Sequence, residues 1–131
     1  MKSLVVLRVV AVTHAAAACL QPVLAGSYLS GNGAAMRLHS PVGLSLFFVA
    51  LAQLLTATIY WRFGGPGWPA LLSMAVAAAE GVQISMGFAR ELAVHIPLGV
   101  GIVMTALVFA GWTFRPAARV RRTAKSEAVA A

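Results

Sequence analysis

The sequence predicts an all-α integral membrane protein, a bundle of four transmembrane helices. The chain has 131 residues, of which 60% are hydrophobic and only 10% charged, whereas soluble domains average about 45–50% and about 25%. The apolar residues fall in four blocks, each near the roughly 20 residues that cross a hydrocarbon core about 30 Å thick. Four spans fill residues 1–114 and leave no room for a separate soluble catalytic domain.

The predicted spans follow one another with short connections. They cover residues 4–29, 41–61, 68–88 and 92–112. The second connection is a Gly-Gly-Pro-Gly turn at residues 64–67, a composition that interrupts helices. Pro116 follows the fourth span, and residues 115–131 form a basic cytoplasmic tail.

The distribution of Lys and Arg predicts a multi-pass protein of the inner or plasma membrane with both termini cytoplasmic. Eight basic residues fall on one side of the spans and two on the other, and such residues concentrate on the cytoplasmic side. The inner residues are Lys2, Arg8, Arg62, Arg115, Arg119, Arg121, Arg122 and Lys125, and the outer ones are Arg37 and Arg90. The net charge of +7 clusters beside the membrane, which favours contact with anionic lipid rather than nucleic acid.

A second interpretation of the N-terminus stays open. Residues 1–25 resemble a secretory signal with a cleavage site at Val23-Leu24-Ala25, which would leave three spans and a cytoplasmic tail. Its apolar stretch is longer than the usual 7–15 or so residues of a signal. It also contains His14 and Gln21, which are unfavourable in such a segment.

The two halves of the chain resemble each other. An apolar-His-x-Pro-x-Gly pattern opens the second span at His39 and the fourth at His95. Each copy follows a span that contains a glutamine, Gln21 or Gln83. The sequence therefore predicts two duplicated helical hairpins, in which spans two and four run parallel and place both histidines at one depth, in the first helical turn.

The repeated pattern favours a haem site. Pro41 and Pro97 suit a first helical turn, and Gly43 and Gly99 lie one turn beyond each histidine on the same face. A flat macrocycle approaches a helix only where the side chain is very small. Two such helices facing each other would hold one haem b per chain between two imidazoles. The alternative is that each histidine lies at a polar interface and each glycine allows close helix packing.

Arg37 and Arg90 are candidates for the haem propionates. They are the two basic residues predicted on the outer side, close in sequence to the two histidines, and arginine pairs well with carboxylates. Ordinary solvation of the loops, with Glu91 beside Arg90, is the equally open alternative.

Five polar side chains deep within the spans form a candidate polar core. They are His14, Gln21, Gln53, Glu80 and Gln83. Such groups are costly in a membrane and usually face the bundle interior. His14 and Glu80 form the natural pair, either as a structural hydrogen bond or as a proton or quinol site. Three histidines allow one bis-histidine haem, and the single Cys19 excludes an internal disulfide or a cysteine-held cluster.

These motifs resemble one four-helix half of a haem A synthase. They also resemble small uncharacterised bacterial four-span membrane proteins with a Gln…Ala-Gly segment before a Leu-His…Gly helix. The matching residues are Gln21, Ala25, Gly26, Leu38, His39, Gly43 and His95, within a similarity over about residues 14–112. The resemblance implies His39 and His95 as haem ligands. The chain is half as long as the synthase and lacks a match to its first outer loop with a catalytic acidic residue, so haem hydroxylation is not implied.

These features of the sequence are consistent with two functions of different classes. The first is a small b-type cytochrome-like protein that holds one haem near the extracytoplasmic side and transfers electrons to a redox partner or quinone. The second is a non-redox membrane protein, a proton-coupled carrier or an accessory subunit, built around Glu80 and His14. Both are compatible with a homodimer or a place in a larger membrane complex, and no residue is assigned a catalytic role.

Overall fold

Four α-helices account for most of the chain in the computed structural model, which describes residues 2–119. They are α1 (Lys2–Leu29), α2 (Gly33–Arg62), α3 (Trp68–Phe88) and α4 (Leu92–Trp112), followed by a 3₁₀ helix at Pro116–Arg119. All four α-helices are long and apolar enough to cross a membrane, which confirms the predicted fold class. Of the predicted basic tail, Arg121, Arg122 and Lys125 lie outside the described residues.

The start of α2 differs from the prediction. The helix begins at Gly33 rather than at residue 41, because the side chain of Asn32 accepts a hydrogen bond from the Ala34 amide and caps it there. Pro41 therefore lies inside α2, and His39 lies in its second turn, so the prediction that both belong to the first turn was wrong. Pro41 lacks an N–H, which leaves only the Arg37 carbonyl without its usual partner, near an exposed helix end.

The other boundaries agree closely with the prediction. Helices α3 and α4 have the predicted limits, and α1 begins two residues earlier than the predicted Leu4. His95 lies in the first turn of α4, as expected, but Pro97 lies inside that helix rather than in its first turn. Glu91 is the N-cap residue of α4 and makes no side-chain capping bond.

Each helix packs against its neighbours in the sequence, and α1 also packs against α4. The bundle is therefore a closed ring of antiparallel neighbours, in which α1 and α3 occupy one diagonal and α2 and α4 the other. Residues at matching depths on opposite helices consequently face each other across the interior.

The bundle has small and polar residues inside and large apolar residues outside. Alanines supply much of the buried core, among them Ala11, Ala50, Ala77 and Ala106, one on each helix in chain order. Small residues let helix backbones approach closely in a membrane. Large apolar side chains cover the outer faces, where they contact lipid: Val9, Leu55, Leu71 and Val108 are each 60% exposed or more.

Aromatic side chains close one end of the bundle, here called the aromatic end. The rings of Phe109 and Trp112 stack with centroids 5.9 Å apart, and Trp68 meets Trp112 edge-on at 4.4 Å. Tyr60 contacts Trp112 and donates a 2.8 Å hydrogen bond to the Ala118 carbonyl. This bond ties the segment after α4 back to α2.

Arg8 adds a polar contact at the aromatic end. Its guanidinium donates to the Thr113 carbonyl over 2.8 Å and lies 4.3 Å from the centre of the Phe114 ring. The Arg8 guanidinium is thus stabilised by a carbonyl oxygen and an aromatic face rather than by a carboxylate. The opposite end carries His39 and His95 and is called the histidine end.

Candidate functional site

A buried chain of polar side chains crosses the middle of the bundle. Nδ1 of His14 lies 2.9 Å from Oε1 of Gln53, and Nε2 lies 2.7 Å from Oε1 of Glu80. The Gln53 amide nitrogen donates to Ser73 Oγ over 3.3 Å, and Ser73 donates to the Pro69 carbonyl over 2.7 Å. Because this nitrogen is engaged at Ser73, the Gln53 oxygen accepts from His14, and Nδ1 carries a hydrogen. The predicted pairing of His14 with Glu80 is confirmed.

The same bundle brings His39 and His95 together at a second level. Their ring centroids lie 6.3 Å apart with an angle of 61° between the ring planes. His14 and Glu80 lie on the α1–α3 diagonal, whereas His39 and His95 lie on the α2–α4 diagonal. Gln21, which contacts His39, is seven residues beyond His14, so the levels are separated by about 10 Å along the helix.

The Nδ1 atom of each cleft histidine has a hydrogen-bonding partner from the preceding helix. Nδ1 of His95 lies 2.9 Å from the Gln83 carbonyl; a carbonyl only accepts, so Nδ1 donates and Nε2 keeps a free lone pair. The Gln21 amide nitrogen donates to His39 Nδ1 over 3.0 Å and to the His39 carbonyl over 3.2 Å, while its oxygen accepts from the Gly43 amide over 3.2 Å. Because Nδ1 of His39 accepts here, the hydrogen of its neutral ring lies on Nε2, which is the opposite tautomer to that of His95.

Glycines allow the glutamines to approach the histidine-bearing helices. A Cβ atom at Gly99 would lie 2.7 Å from Nε2 of Gln83, and one at Gly43 would lie 3.4 Å from the Gln21 amide. The same Gln–Gly contact therefore occurs in both hairpins, one turn from each histidine. Gly43 and Gly99 do face the cleft, as predicted, but the space above them holds glutamine side chains.

A cleft of about 220 Å³ connects the two levels. Its lining includes His39, His95, Gln21, Gln83 and Glu80 among mostly apolar side chains. Two buried oxygens of this lining, Oε2 of Glu80 and Oε1 of Gln83, have no hydrogen-bonding partner within residues 2–119. Glu80 is only 3% exposed and belongs to the cleft lining. One of its oxygens joins the buried polar chain, and the other has no partner within residues 2–119.

Arg37 and Arg90 lie at the histidine end and are both exposed. Within the described part of the chain, neither guanidinium forms an ion pair, although Glu91 follows Arg90 directly. Arg90 has a positive φ of 60°, an uncommon conformation for a residue with a side chain. Both charges lie at the histidine end, but neither arginine is among the residues that line the cleft.

Ser73 and Gly87 belong to the site but were not identified from the sequence. Ser73 orients Gln53, and Gly87 accommodates the His95 ring, since a Cβ there would lie 2.8 Å from His95 Cε1. Both lie seven residues from Glu80 on α3, one on each side. A seven-residue spacing keeps residues on one helix face, and this signal in the sequence could have identified both.

Fold and site together define a four-helix membrane-spanning bundle with a buried polar chain and a histidine-lined cleft. No known protein family, curated protein or solved structure matches the chain.

Proposed function

We propose that this protein is a small b-type cytochrome-like membrane protein that holds one haem between His39 and His95 and transfers electrons. The observation that carries the proposal is the placement of the two imidazoles, on facing helices with ring centroids 6.3 Å apart. With iron–nitrogen bonds of about 2 Å, as for other metal–imidazole bonds, two coordinating nitrogens stand about 4 Å apart and the ring centroids about 6 Å apart.

The chemistry of the ligand set also favours haem over a bare metal ion. Within residues 2–119, no group of three or more His, Cys, Asp or Glu side chains is placed to hold a metal ion. His39 and His95 would suffice to hold a haem iron, because the macrocycle itself would supply the remaining ligands. When bound, haem supplies one-electron chemistry at its iron.

The surrounding residues orient such a group. The Gln83 carbonyl fixes Nδ1 of His95 as a donor, the arrangement usual for a metal-ligating histidine. His39 would take the same tautomer once the Gln21 amide, which donates to its Nδ1, moves away. The cleft is smaller than the roughly 300–1,000 Å³ of common ligand pockets. Binding therefore requires the flexible glutamine side chains to withdraw from Gly43 and Gly99.

The charges favour a haem site near the extracytoplasmic surface. The histidine end carries Arg37 and Arg90, which would pair with propionates. Most of the other Lys and Arg residues are next, in sequence, to the helix ends that lie at the aromatic end. We therefore infer that the termini are cytoplasmic. The resemblance to one half of a haem A synthase points to the same ligands. The partners proposed are a redox protein or quinone, and a second copy or a larger complex.

Optical spectra of the purified protein test the proposal. Protein expressed with adequate haem should show a sharp Soret band and split visible bands on reduction. His39→Ala and His95→Ala should each abolish the six-coordinate spectrum. The third histidine provides the control: folded His14→Ala should keep it, because His14 bonds to Gln53 and Glu80 and does not line the cleft. Absence of haem from well-supplied protein would refute the proposal.

A second candidate function is supported by the unpaired oxygens. Oε2 of Glu80 and Oε1 of Gln83 are buried acceptors on the cleft wall, and buried carboxylates in membranes often mark proton paths. The protein would then be a non-redox proton-coupled carrier or an accessory subunit. A haem spectrum unaffected by His39→Ala, together with proton transport that depends on Glu80, would favour this function.

A further inference from the structure

The buried polar chain contains one shared proton and one unused acceptor. Nδ1 of His14 donates to Gln53, so the 2.7 Å contact between Nε2 and Oε1 of Glu80 holds a single hydrogen. The pair is neutral overall whether this hydrogen belongs to the imidazole or to the carboxyl group. Oε2 of Glu80 is buried without a partner in the described residues, so it is the position where a second proton can bind.

Glu80 connects this chain to the cleft. Its side chain lines the cleft wall together with His39 and His95, but its hydrogen bond goes to His14 on the opposite side. Glu80 therefore belongs both to the polar chain and to the wall of the space where we place the haem.

We propose that the His14–Glu80 pair takes up one proton when the cleft gains one electron, so that the protein is a proton-coupled electron carrier. This inference rests on the proposed function, because the electron would be held by the haem that His39 and His95 are proposed to bind. The electron comes from a one-electron donor, and the proton comes from an acid of the aqueous buffer. The new O–H bond forms at Oε2 of Glu80, while the buffer acid loses its proton.

The physical reason is the weak screening inside the bundle. An added negative charge strengthens proton binding by a nearby carboxylate, and the effect is larger in a protein interior than in water. Around Glu80, His14 from α1 bonds to it, Gln53 from α2 bonds to His14, and His39 from α2 and His95 from α4 line the same cleft. With the two cleft histidines engaged as ligands and His14 already sharing a proton, Glu80 is the acceptor that remains.

The test measures the midpoint potential of the haem-loaded protein in nanodiscs from mildly acidic to mildly alkaline pH. Uptake of one proton per electron lowers the reduction equilibrium constant tenfold for each pH unit, which corresponds to about 59 mV for a one-electron couple. Glu80→Gln should remove this slope, since the amide cannot take the proton. The matched control is Glu91→Gln, which neutralises an exposed carboxylate at the histidine end and should keep the slope.

Infrared difference spectra of the unmodified protein give a second readout that does not depend on how well a variant folds. Reduction should produce the band of a newly protonated carboxyl group. A haem spectrum with a pH-independent midpoint and no carboxyl band would overturn this inference and leave the proposed function standing. A slope that persists in folded Glu80→Gln would also overturn it. Absence of haem would overturn both the function and the inference.

Discussion

The donor and acceptor assignments in the buried chain predict that two substitutions at the same ion pair have very different effects on stability. His14→Ala removes both hydrogen bonds of the ring, 2.9 Å to Gln53 and 2.7 Å to Glu80, and leaves a buried carboxyl group without a partner. Glu80→Gln keeps a side chain of the same shape. A neutral His14 can still donate from Nδ1 to Gln53 and accept at Nε2 from the new amide.

The expected magnitudes follow from these contacts. Polar interactions between membrane helices contribute about 0.6 kcal/mol on average and about 1.7 kcal/mol at most, so two lost bonds cost roughly 1–3 kcal/mol. Removing a fully buried ring also leaves a cavity, and deletions of large buried side chains cost about 2–5 kcal/mol. Together these two terms give about 3–8 kcal/mol, and the lower part of this range agrees with the about 3–5 kcal/mol seen when a buried pair loses one partner. Glu80→Gln should cost less than about 1 kcal/mol, because both hydrogen bonds survive.

Reversible unfolding in mixed micelles with increasing amounts of denaturing detergent measures both free energies of unfolding. Glu91→Gln makes the same chemical change at an exposed site and serves as the control. Equal losses for His14→Ala and Glu80→Gln would refute the hydrogen-bond directions assigned here, since a large cost at Glu80 means that the ring cannot accept from an amide. A negligible cost for His14→Ala would show that the chain contributes little to stability.

Two further substitutions test the ends of the bundle. Gly99→Ala and Gly43→Ala should each weaken haem binding, because a Cβ at either position fills space that the macrocycle needs once Gln83 and Gln21 have withdrawn; haem titration measures both variants, and unchanged affinities would contradict the prediction. Tyr60→Phe should remove the 2.8 Å bond to the Ala118 carbonyl and cost about 1 kcal/mol, with faster proteolysis after α4; unchanged cleavage would show that this bond does not hold the segment.

The pairing of His14 with Glu80 could be predicted from the sequence because carboxylates and histidines are rare inside the spans. Glu80 is the one carboxylate inside the spans, and His14 is the one histidine near the middle of a span. Because a buried charge needs a partner, their pairing could be predicted without coordinates. The limits of α3 and α4 were predictable for a similar reason, since each follows a short loop between long apolar blocks.

Other features depend on competition between local signals or on side-chain directions, and these were not predictable. Pro41 suits a first turn, but the Asn32 cap starts α2 at Gly33 instead. The single N–H that Pro41 lacks does not stop the helix. The contacts of Gln21 with Gly43 and of Gln83 with Gly99 depend on rotamers and on the distance between helices. A sequence pattern places such residues on a face but does not say which of them fill the space above a glycine.

The two hairpins are alike at the histidine end and different in the middle, and this difference bears on function. Gln21 and Gln83 hold equivalent positions, each near a histidine and a glycine of the following helix. Three residues before these glutamines, the first hairpin has Ala18 and the second has Glu80, and both residues line the cleft. The two histidines lie on facing helices, an arrangement that would suit the flat group proposed to bind between them. The carboxyl group of Glu80 occurs on only one wall and would add nothing to such symmetric binding, but it places an ionisable group in the lining of the same cleft. The pairing of this group with His14 has no counterpart in the other hairpin, so it is a feature separate from ligand binding, and proton exchange is the chemistry for which a buried histidine–carboxylate pair is suited.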